Sequence, residues 1–255
     1  MGKVIAVANQ KGGVAKTTTV VNLGACLALM GYKTLVIDAD PQGNATSGLG
    51  IRSGKIKHSL YDVMVNGVAV RSARLPCPWV ENLDVVPANL SLAGAEVELV
   101  GEVKREGVLS GAVSRIREEY EFILVDCPPS LGLLTLNALT AADSVIIPIQ
   151  CEYYALEGVG HLLNTVQLVK RRLNPRLEVE GVLLTMFNGR TNLSIQVAEE
   201  VKKHFRGKVY RTVVPRNVRL SEAPSHGKPV VVYDPKSRGA EIYVELAREV
   251  AGRNG

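Results

Sequence analysis

The segment Lys11-Gly-Gly-Val-Ala-Lys-Thr-Thr18 constrains this chain more than any other stretch. An apolar run of strand length, Val4-Ile-Ala-Val-Ala8, leads into it. Thr19 to Met30 follows, with Val20, Leu23, Leu27 and Met30 at helical spacing. A strand, a glycine-rich turn and a helix N-terminus in that order make a cradle for phosphate. The N–H groups of the first helical turn have no intrahelical partner and point at the anion, and the helix dipole adds partial positive charge. Gly12, Gly13, Val14, Ala15, Lys16, Thr17 and Thr18 are the residues expected to hold a nucleoside triphosphate. The glycines let the backbone come close, Lys16 reaches the β/γ-phosphates, and the Thr17 hydroxyl is a ligand for Mg²⁺.

The literal pattern G-x4-G-K-[ST] is nevertheless absent. Gln10 and Ala15 stand where it has glycine, and a second lysine, Lys11, opens the loop. If position 15 needs φ > 0, the Ala15 Cβ costs about 1–2 kcal/mol. The expected consequence is an intact fold with a slightly altered nucleotide affinity or turnover.

Apolar runs alternate with helical patterns along the chain. Thr34–Ile37, Leu83–Val86, Phe122–Val125, Ser144–Ile149 and Val182–Thr185 read as strands, several of them continuous apolar runs suited to burial on both faces. Leu156, Val159, Leu163 and Val166, and again Val197, Val201 and Phe205, recur at helical spacing. Repeated βα units predict an α/β fold, a mostly parallel sheet with helices on both faces, in one domain over residues 1–255. Ligands of such sheets sit beyond the carboxyl ends of the strands. The segment from Gly48 to Pro87 is less regular and is expected to cap the nucleotide edge. A last helix, about Ala240 to Ala251, is expected to dock on the sheet.

Two further motifs follow strands. Asp38-Ala-Asp-Pro-Gln-Gly-Asn44 comes after the second, and Phe122-Ile-Leu-Val-Asp126 ends a later one in an acid. Hard Mg²⁺ takes oxygen ligands and keeps several waters, so Asp126 is expected to orient a water or Thr17 around it. Asp38 and Asp40 lie two apart, on one side of a continuing strand, so one can join the outer shell of the metal while the other faces an attacking water. Any one of these aspartates alone could equally be a turn or helix cap.

Composition excludes other classes. No stretch approaches the ~18–20 uncharged apolar residues of a membrane span. A strand begins almost at the N-terminus, so neither a signal peptide nor a preceding helix-turn-helix is expected. Cys26, Cys77, Cys127 and Cys151 form no C-x-x-C pair. Cys26 and Cys127, in apolar or motif contexts, are expected to be free buried thiols, and the expected location is cytoplasmic. Charge is unevenly divided. Residues 1–150 carry 13 Lys/Arg and 14 Asp/Glu, whereas residues 151–255 carry 17 and 11. Lys202, Lys203, Arg206, Lys208, Arg211, Arg216 and Arg219 fall in a stretch without an acid. Such a stretch is either a solvated face or a surface for nucleic acid.

The Lys11-Gly-Gly-x-x-Lys-Thr loop resembles the deviant P-loop of the ParA/MinD/nitrogenase-iron-protein ATPases. Gln42-Gly-Asn-Ala-Thr-Ser-Gly-Leu-Gly50, Cys127-Pro-Pro-Ser-Leu-Gly132, Glu152-Tyr-Tyr-Ala-Leu-Glu-Gly158, Thr185-Met-Phe-Asn-Gly-Arg-Thr191 and Val214-Pro-Arg-Asn-Val-Arg-Leu-Ser-Glu-Ala-Pro224 are similar to blocks of the short chromosomal ParA proteins, often called Soj. The resemblance implies ATP and Mg²⁺ as ligands, with Lys11, Lys16 and Asp40 catalytic. Asp40 would position the water, and Lys11 would reach the partner's phosphates across an ATP-dependent homodimer. It places Thr17, Asp38 and Asp126 about the metal and Pro215 and Asn217 against the adenine. It also assigns Arg190 and Arg219 to nonspecific double-stranded DNA, with the ATP-bound form associated with the nucleoid. A ParB/Spo0J-like partner would stimulate a weak basal hydrolysis and release the dimer from DNA. Two alternatives remain: a nucleotide-gated switch acting on another protein, in replication or sporulation control, and a MinD-like positioning ATPase. The latter needs a basic amphipathic helix at a lipid interface. Here the last helix carries Glu241, Glu245 and Glu249, and no membrane partner is expected.

Overall fold

A computed structural model of the chain describes residues 2–152 and 157–254. Tyr153 to Leu156 of the Glu152–Gly158 block, including the helical position Leu156, lie outside the described residues. The strands are β1 Lys3–Val7, β2 Thr34–Asp38, β3 Leu75–Pro76, β4 Leu83–Val86, β5 Phe122–Asp126, β6 Ser144–Gln150, β7 Glu178–Phe187 and β8 Val209–Pro215. They form one sheet in the order β3-β4-β2-β5-β1-β6-β7-β8. Every neighbouring pair is parallel except β3 with β4. The expected α/β architecture is therefore present.

The alternation of side chains explains the layering. Val4 and Ala6 of β1 face one core with Ile37, Val125 and Ile147. Ile5 and Val7 face the other with Val36, Leu124 and Ile146. A strand buried on both sides must be apolar throughout, which is why these segments show no polar alternation.

Twelve α-helices are present among the described residues. On the first face lie α1 Lys16–Leu29, α2 Asn44–Gly48, α10 Val218–Glu222, α11 Val230–Tyr233 and α12 Arg238–Asn254. The second face is covered by α3 Leu60–Met64, α4 Val70–Ala73, α5 Leu92–Glu98, α6 Val108–Ser114, α7 Leu133–Ala141, α8 Glu157–Arg172 and α9 Asn192–His204. The last helix docks as expected: Ile242, Tyr243, Leu246 and Val250 are buried, and the Tyr243 hydroxyl lies 3.3 Å from the Thr19 hydroxyl of α1.

Two elements depart from the sequence reading. The segment 48–87 is not an irregular cap. Besides the expected strand β4 it supplies α3, α4 and β3, and buries Leu60, Val63, Met64 and Val70 in the core. Its short helices have too few residues to show a helical period, which hides them in the sequence. Val209–Pro215, counted only within a basic stretch, is the edge strand β8. Tyr210, Thr212 and Val214 point inward, while Arg211 is exposed between them.

Candidate functional site

The phosphate loop hangs between the end of β1 and the start of α1, as its sequence requires. Two of its residues adopt left-handed backbone: Gly13 has φ +73° and Ala15 has φ +69°. Ala15 is the N-cap of α1 and makes no side-chain cap; its carbonyl accepts the Thr19 N–H at 2.9 Å and the Thr19 hydroxyl at 2.7 Å. The strain inferred for Ala15 is therefore real, since a Cβ in this region costs about 1–2 kcal/mol. Gly12 and Gly13 border open space, where a Cβ would meet nothing within 4 Å. An anion can approach that backbone unobstructed.

Three residues outside the motif fix the loop. The Asn9 side chain donates to the Pro148 carbonyl of β6 at 2.7 Å and accepts the Lys11 N–H at 3.0 Å. The Thr185 hydroxyl, near the end of β7, donates to the Val14 carbonyl at 3.2 Å. Asn22 donates to the Thr18 carbonyl and accepts the Val230 N–H, both at 2.7 Å. Buried Asn9 and Thr185 follow or end apolar runs, where a polar residue needs a partner. That was the available signal for both.

Lys16 is buried, and its Nζ donates to the Lys11 carbonyl at 3.2 Å. Burial holds its pKa below the usual lysine value, opposed by the carboxylates of Asp126 and Asp40. Lys11 is half-buried, and Thr17 and Thr18 are partly open on the first turn. The loop thus offers N–H groups, an amine and a hydroxyl on one open shelf.

The two acids at strand ends converge on it. Asp126 is fully buried, and neither of its carboxylate oxygens has a hydrogen-bond partner among the described residues. Burial, and next the charge of Asp38, push its pKa well above the carboxylate range. The Thr17 hydroxyl moderates this without reaching hydrogen-bond geometry. An orphaned buried carboxylate calls for an explanation such as an absent ion. A hydrated Mg²⁺ between it and Thr17 fits. Among the described residues no group of three or more His, Cys, Asp or Glu could hold a metal alone. That suits Mg²⁺, which is bound through one or two carboxylates plus substrate phosphates.

Asp38 is equally buried but satisfied. Its Oδ2 accepts the Thr46 N–H and the Thr46 hydroxyl, each at 2.7 Å, and its Oδ1 accepts the Asp40 N–H at 3.2 Å. Burial raises its pKa to about 6 against these lowering contacts. Asp40 is buried at the first bend after β2 and accepts the Gln42 N–H at 3.0 Å. Thr46 was quoted within a motif, but its role was not legible there.

The remaining predicted residues lie at or just after the carboxyl ends of β7 and β8, neighbouring parallel strands in register at Phe187 and Pro215. Pro215 ends β8, and Asn217 caps α10 by accepting the Arg219 N–H at 2.9 Å. Arg190 is exposed after β7 and makes no ion pair among the described residues. Arg219 is engaged, with Glu222 at 2.8 Å and Asp234 at 3.0 Å. The basic stretch does not form one patch. Arg216 and Arg219 follow the carboxyl end of β8, whereas Lys202, Lys203, Arg206 and Lys208 precede its amino end. A seven-residue strand separates the two groups by about 20 Å. A cavity of about 1270 Å³ opens at the amino ends of β1, β2, β4 and β5, and none of the predicted residues lines it.

Cys26 and Cys127 are free and buried, as expected, and so are Cys77 and Cys151. Burial pushes the Cys26 thiol up to about 12 and Cys151 to about 11.

Comparison with known proteins agrees with this arrangement. A family profile described as "AAA domain" matches residues 2–179. The sporulation initiation inhibitor protein Soj of Bacillus subtilis (strain 168) is 63% identical over 251 residues, covering 98% of this chain and 99% of Soj. The chromosome partitioning protein ParA of Myxococcus xanthus (strain DK1622) is 53% identical, covering 100% of this chain and 89% of its own length. Among solved structures, cobyrinic acid a,c-diamide synthase from Mycobacterium smegmatis, with bound ATP analog and magnesium, superposes with a TM-score of 0.85. It is 39% identical, covering 97% of this chain and 93% of that one. With a near-full-length match to Soj, a lysine-opened phosphate loop and two strand-end acids converging on it, this chain belongs to the ParA/Soj family of partitioning ATPases.

Proposed function

We propose that the chain is an ATP-dependent DNA-partition ATPase whose ATP-bound homodimer holds nonspecific duplex DNA and lets go after hydrolysis. The observation that carries the nucleotide part is Asp126, fully buried beside Lys16 and Thr17 without a hydrogen-bond partner among the described residues. The solved relative with ATP analog and magnesium supports the same ligands.

Phosphoryl transfer asks the protein mainly for positioning and charge compensation. The loop N–H groups and Lys16 would hold the β/γ-phosphates, Lys16 exchanging the Lys11 carbonyl for phosphate oxygen. Thr17, Asp126 and Asp38 would hold Mg²⁺, which would supply charge to offset that of the phosphate oxygens. Asp40 would orient the attacking water, and Lys11 of a second copy would add charge across the dimer. Pro215 and Asn217 would flank the adenine. Arg190 and Arg219 would contact DNA phosphates, giving affinity without sequence readout. A ParB/Spo0J-like partner would stimulate hydrolysis. The site of action is the cytoplasm, on the nucleoid while ATP is bound.

The name of the Bacillus relative, a sporulation initiation inhibitor, favours one second reading: a nucleotide-gated switch acting on another protein. The MinD-like reading has less support. The apolar side of α12 is spent against α1 and the sheet, which leaves it unavailable to lipid. Among the described residues, no helix is long and apolar enough to cross a membrane.

Binding to random-sequence duplex DNA, in ATP and in ADP across a salt series, tests the proposal. ATP-specific binding that weakens steeply with salt is the expected result. Absence of binding in both states removes the DNA arm and leaves the switch.

A further inference from the structure

The segment leading into α5 and α5 itself are held by both stretches that follow the acidic strand ends. From β2, Asp38 accepts the Thr46 hydroxyl at 2.7 Å, and the same hydroxyl oxygen accepts the Ala88 N–H at 2.9 Å. Thr46 is buried, so no water competes for either bond. One atom therefore joins a carboxylate of the phosphate site to the backbone four residues before α5. A hydroxyl has a single proton, and here it must go to Asp38. The chain Ala88 N–H to Thr46 O–H to Asp38 is directional, and each bond polarises the next.

The other hold comes from β5. The loop after Asp126 ends at Gly132, the N-cap of α7, which has no side-chain cap of its own. Glu96 of α5 supplies a carboxylate there, accepting the Leu134 N–H at 3.4 Å. Such a charge is favourable at a helix N-terminus. The approach is close: a Cβ on residue 132 would lie 2.3 Å from Glu96 Oε1. A side chain at position 132 would thus have to displace the Glu96 carboxylate from the α7 N-terminus.

We propose that Thr46 is a positioning residue of the phosphate site, which it couples to α5, with Glu96 as the second hold. This rests on the ATPase reading. When Asp38 reorients toward a hydrated cation, the Thr46 hydroxyl must follow its acceptor, and Ala88 loses or regains its own. The loop behind Asp126 shifts the α7 end against Glu96 in the same event. The exposed side chains that move with α5 are Leu90, Val97, Val100 and Val103. A ligand moves such an equilibrium only by its differential affinity for the two arrangements, and that quantity can be measured.

The test is hydrogen–deuterium exchange of residues 88–104 in the full-length chain, without nucleotide, with Mg–ADP and with Mg plus a non-hydrolysable ATP analogue. Affinity for a fluorescent ADP analogue is measured alongside. In the wild type, exchange in this segment is expected to change roughly fivefold or more on nucleotide binding. Thr46→Val should lose that response while still binding the fluorescent nucleotide, and Thr46→Ser should restore it. A purely structural hydroxyl would lower stability without erasing the response. Glu96→Ala, which touches no residue of the phosphate site, should reduce the response from the other side and serves if Thr46→Val does not fold. An unchanged response in Thr46→Val, or in Glu96→Ala where that variant stands in for it, overturns the coupling. So does a wild type that binds nucleotide without altering exchange at 88–104. A wild type that binds no nucleotide overturns the ATPase reading instead, and the fluorescence arm shows it separately.

Discussion

Asp38 and Asp126 are register partners, each the last residue of its strand, on the neighbouring parallel strands β2 and β5. Parallel pairing sets both carboxylates side by side at the same end of the sheet and buries them there. After burial, the charge of Asp38 is the largest cause raising the pKa of Asp126, and the charge of Asp40 adds to the raised pKa of Asp38. Two like charges in so dry a place are tolerable only with a cation nearby. The pair therefore costs stability when empty and becomes an asset when a metal–nucleotide complex is present.

The first prediction is an inverted pH dependence for the nucleotide-free protein. Asp38 titrates near 3.8 when unfolded and at about 6 when folded. Between those values the folded state binds more protons, so stability falls as pH rises through the window. Above it the penalty is complete, on the order of 2–3 kcal/mol. Urea denaturation in EDTA from pH 4 to 8 should show the decline beneath the other titrations. Asp126→Asn should remove the further decline that the raised pKa of Asp126 itself contributes, and Mg–ADP should oppose the whole by binding the native state. A neutral-pH stability that Asp126→Asn lowers would contradict this account.

Ala15→Gly should stabilise the chain. Relief at φ +69° is worth about 1–2 kcal/mol, offset by about 0.4–1 kcal/mol from the freer unfolded chain. The net gain, roughly 0.5–1 kcal/mol, corresponds to a Tm rise of about 1–4 °C. Calorimetry reads it, with ATP affinity and kcat measured on the same variant. A relaxed loop is expected to shift both slightly, and identical values would show that the strain has no functional role.

Lys16→Ala should abolish nucleotide binding and, with it, ATP-driven dimerisation. Removing the amine leaves the phosphates without their buried cation and deprives Asp126 of a favourable charge. Light scattering with and without ATP gives the answer, since a normal ATP-dependent dimer would refute the loop assignment. Asp40→Ala should instead retain ATP binding and slow turnover by a factor of about 10²–10⁴, the range for lost proton-transfer or water-orienting groups.

Arg190→Glu and Arg219→Glu should behave differently. Among the described residues Arg190 makes no ion pair, so its reversal is expected to weaken DNA binding while sparing the fold. If one phosphate contact disappears, the slope of log K against log salt drops by ~0.9. Arg219 is tied to Glu222 and Asp234, so its reversal should also lower stability. Neutral variants of Lys202 and Lys203, at the opposite end of β8, test whether that end contributes. Unchanged DNA affinity in Arg190→Glu would move the contact face elsewhere.

Much of this architecture was legible in the chain. Val4–Ala8, Thr34–Ile37 and Phe122–Val125 are apolar enough to require cover on both faces, and each appears as an inner parallel strand. The phosphate loop was legible because its chemistry is local: glycines, lysine and threonine act within one turn. What escaped depends on partners distant in sequence. Asn9 finds Pro148, Thr46 finds Ala88, and Thr185 finds Val14. No local periodicity encodes such pairings. β8 is hidden for a different reason: exposed Arg211 stands within the inward alternation of Tyr210, Thr212 and Val214, and arginines flank it in a basic stretch.

The buried thiols have a practical consequence. Only the thiolate reacts readily, and burial both blocks reagents and suppresses that form. With all four cysteines enclosed, the natural chain should take up almost no maleimide at neutral pH. A cysteine introduced at an exposed position such as Val97 would then be the one reactive handle. Fluorophores could report on α5 during turnover without first stripping the native cysteines from the core.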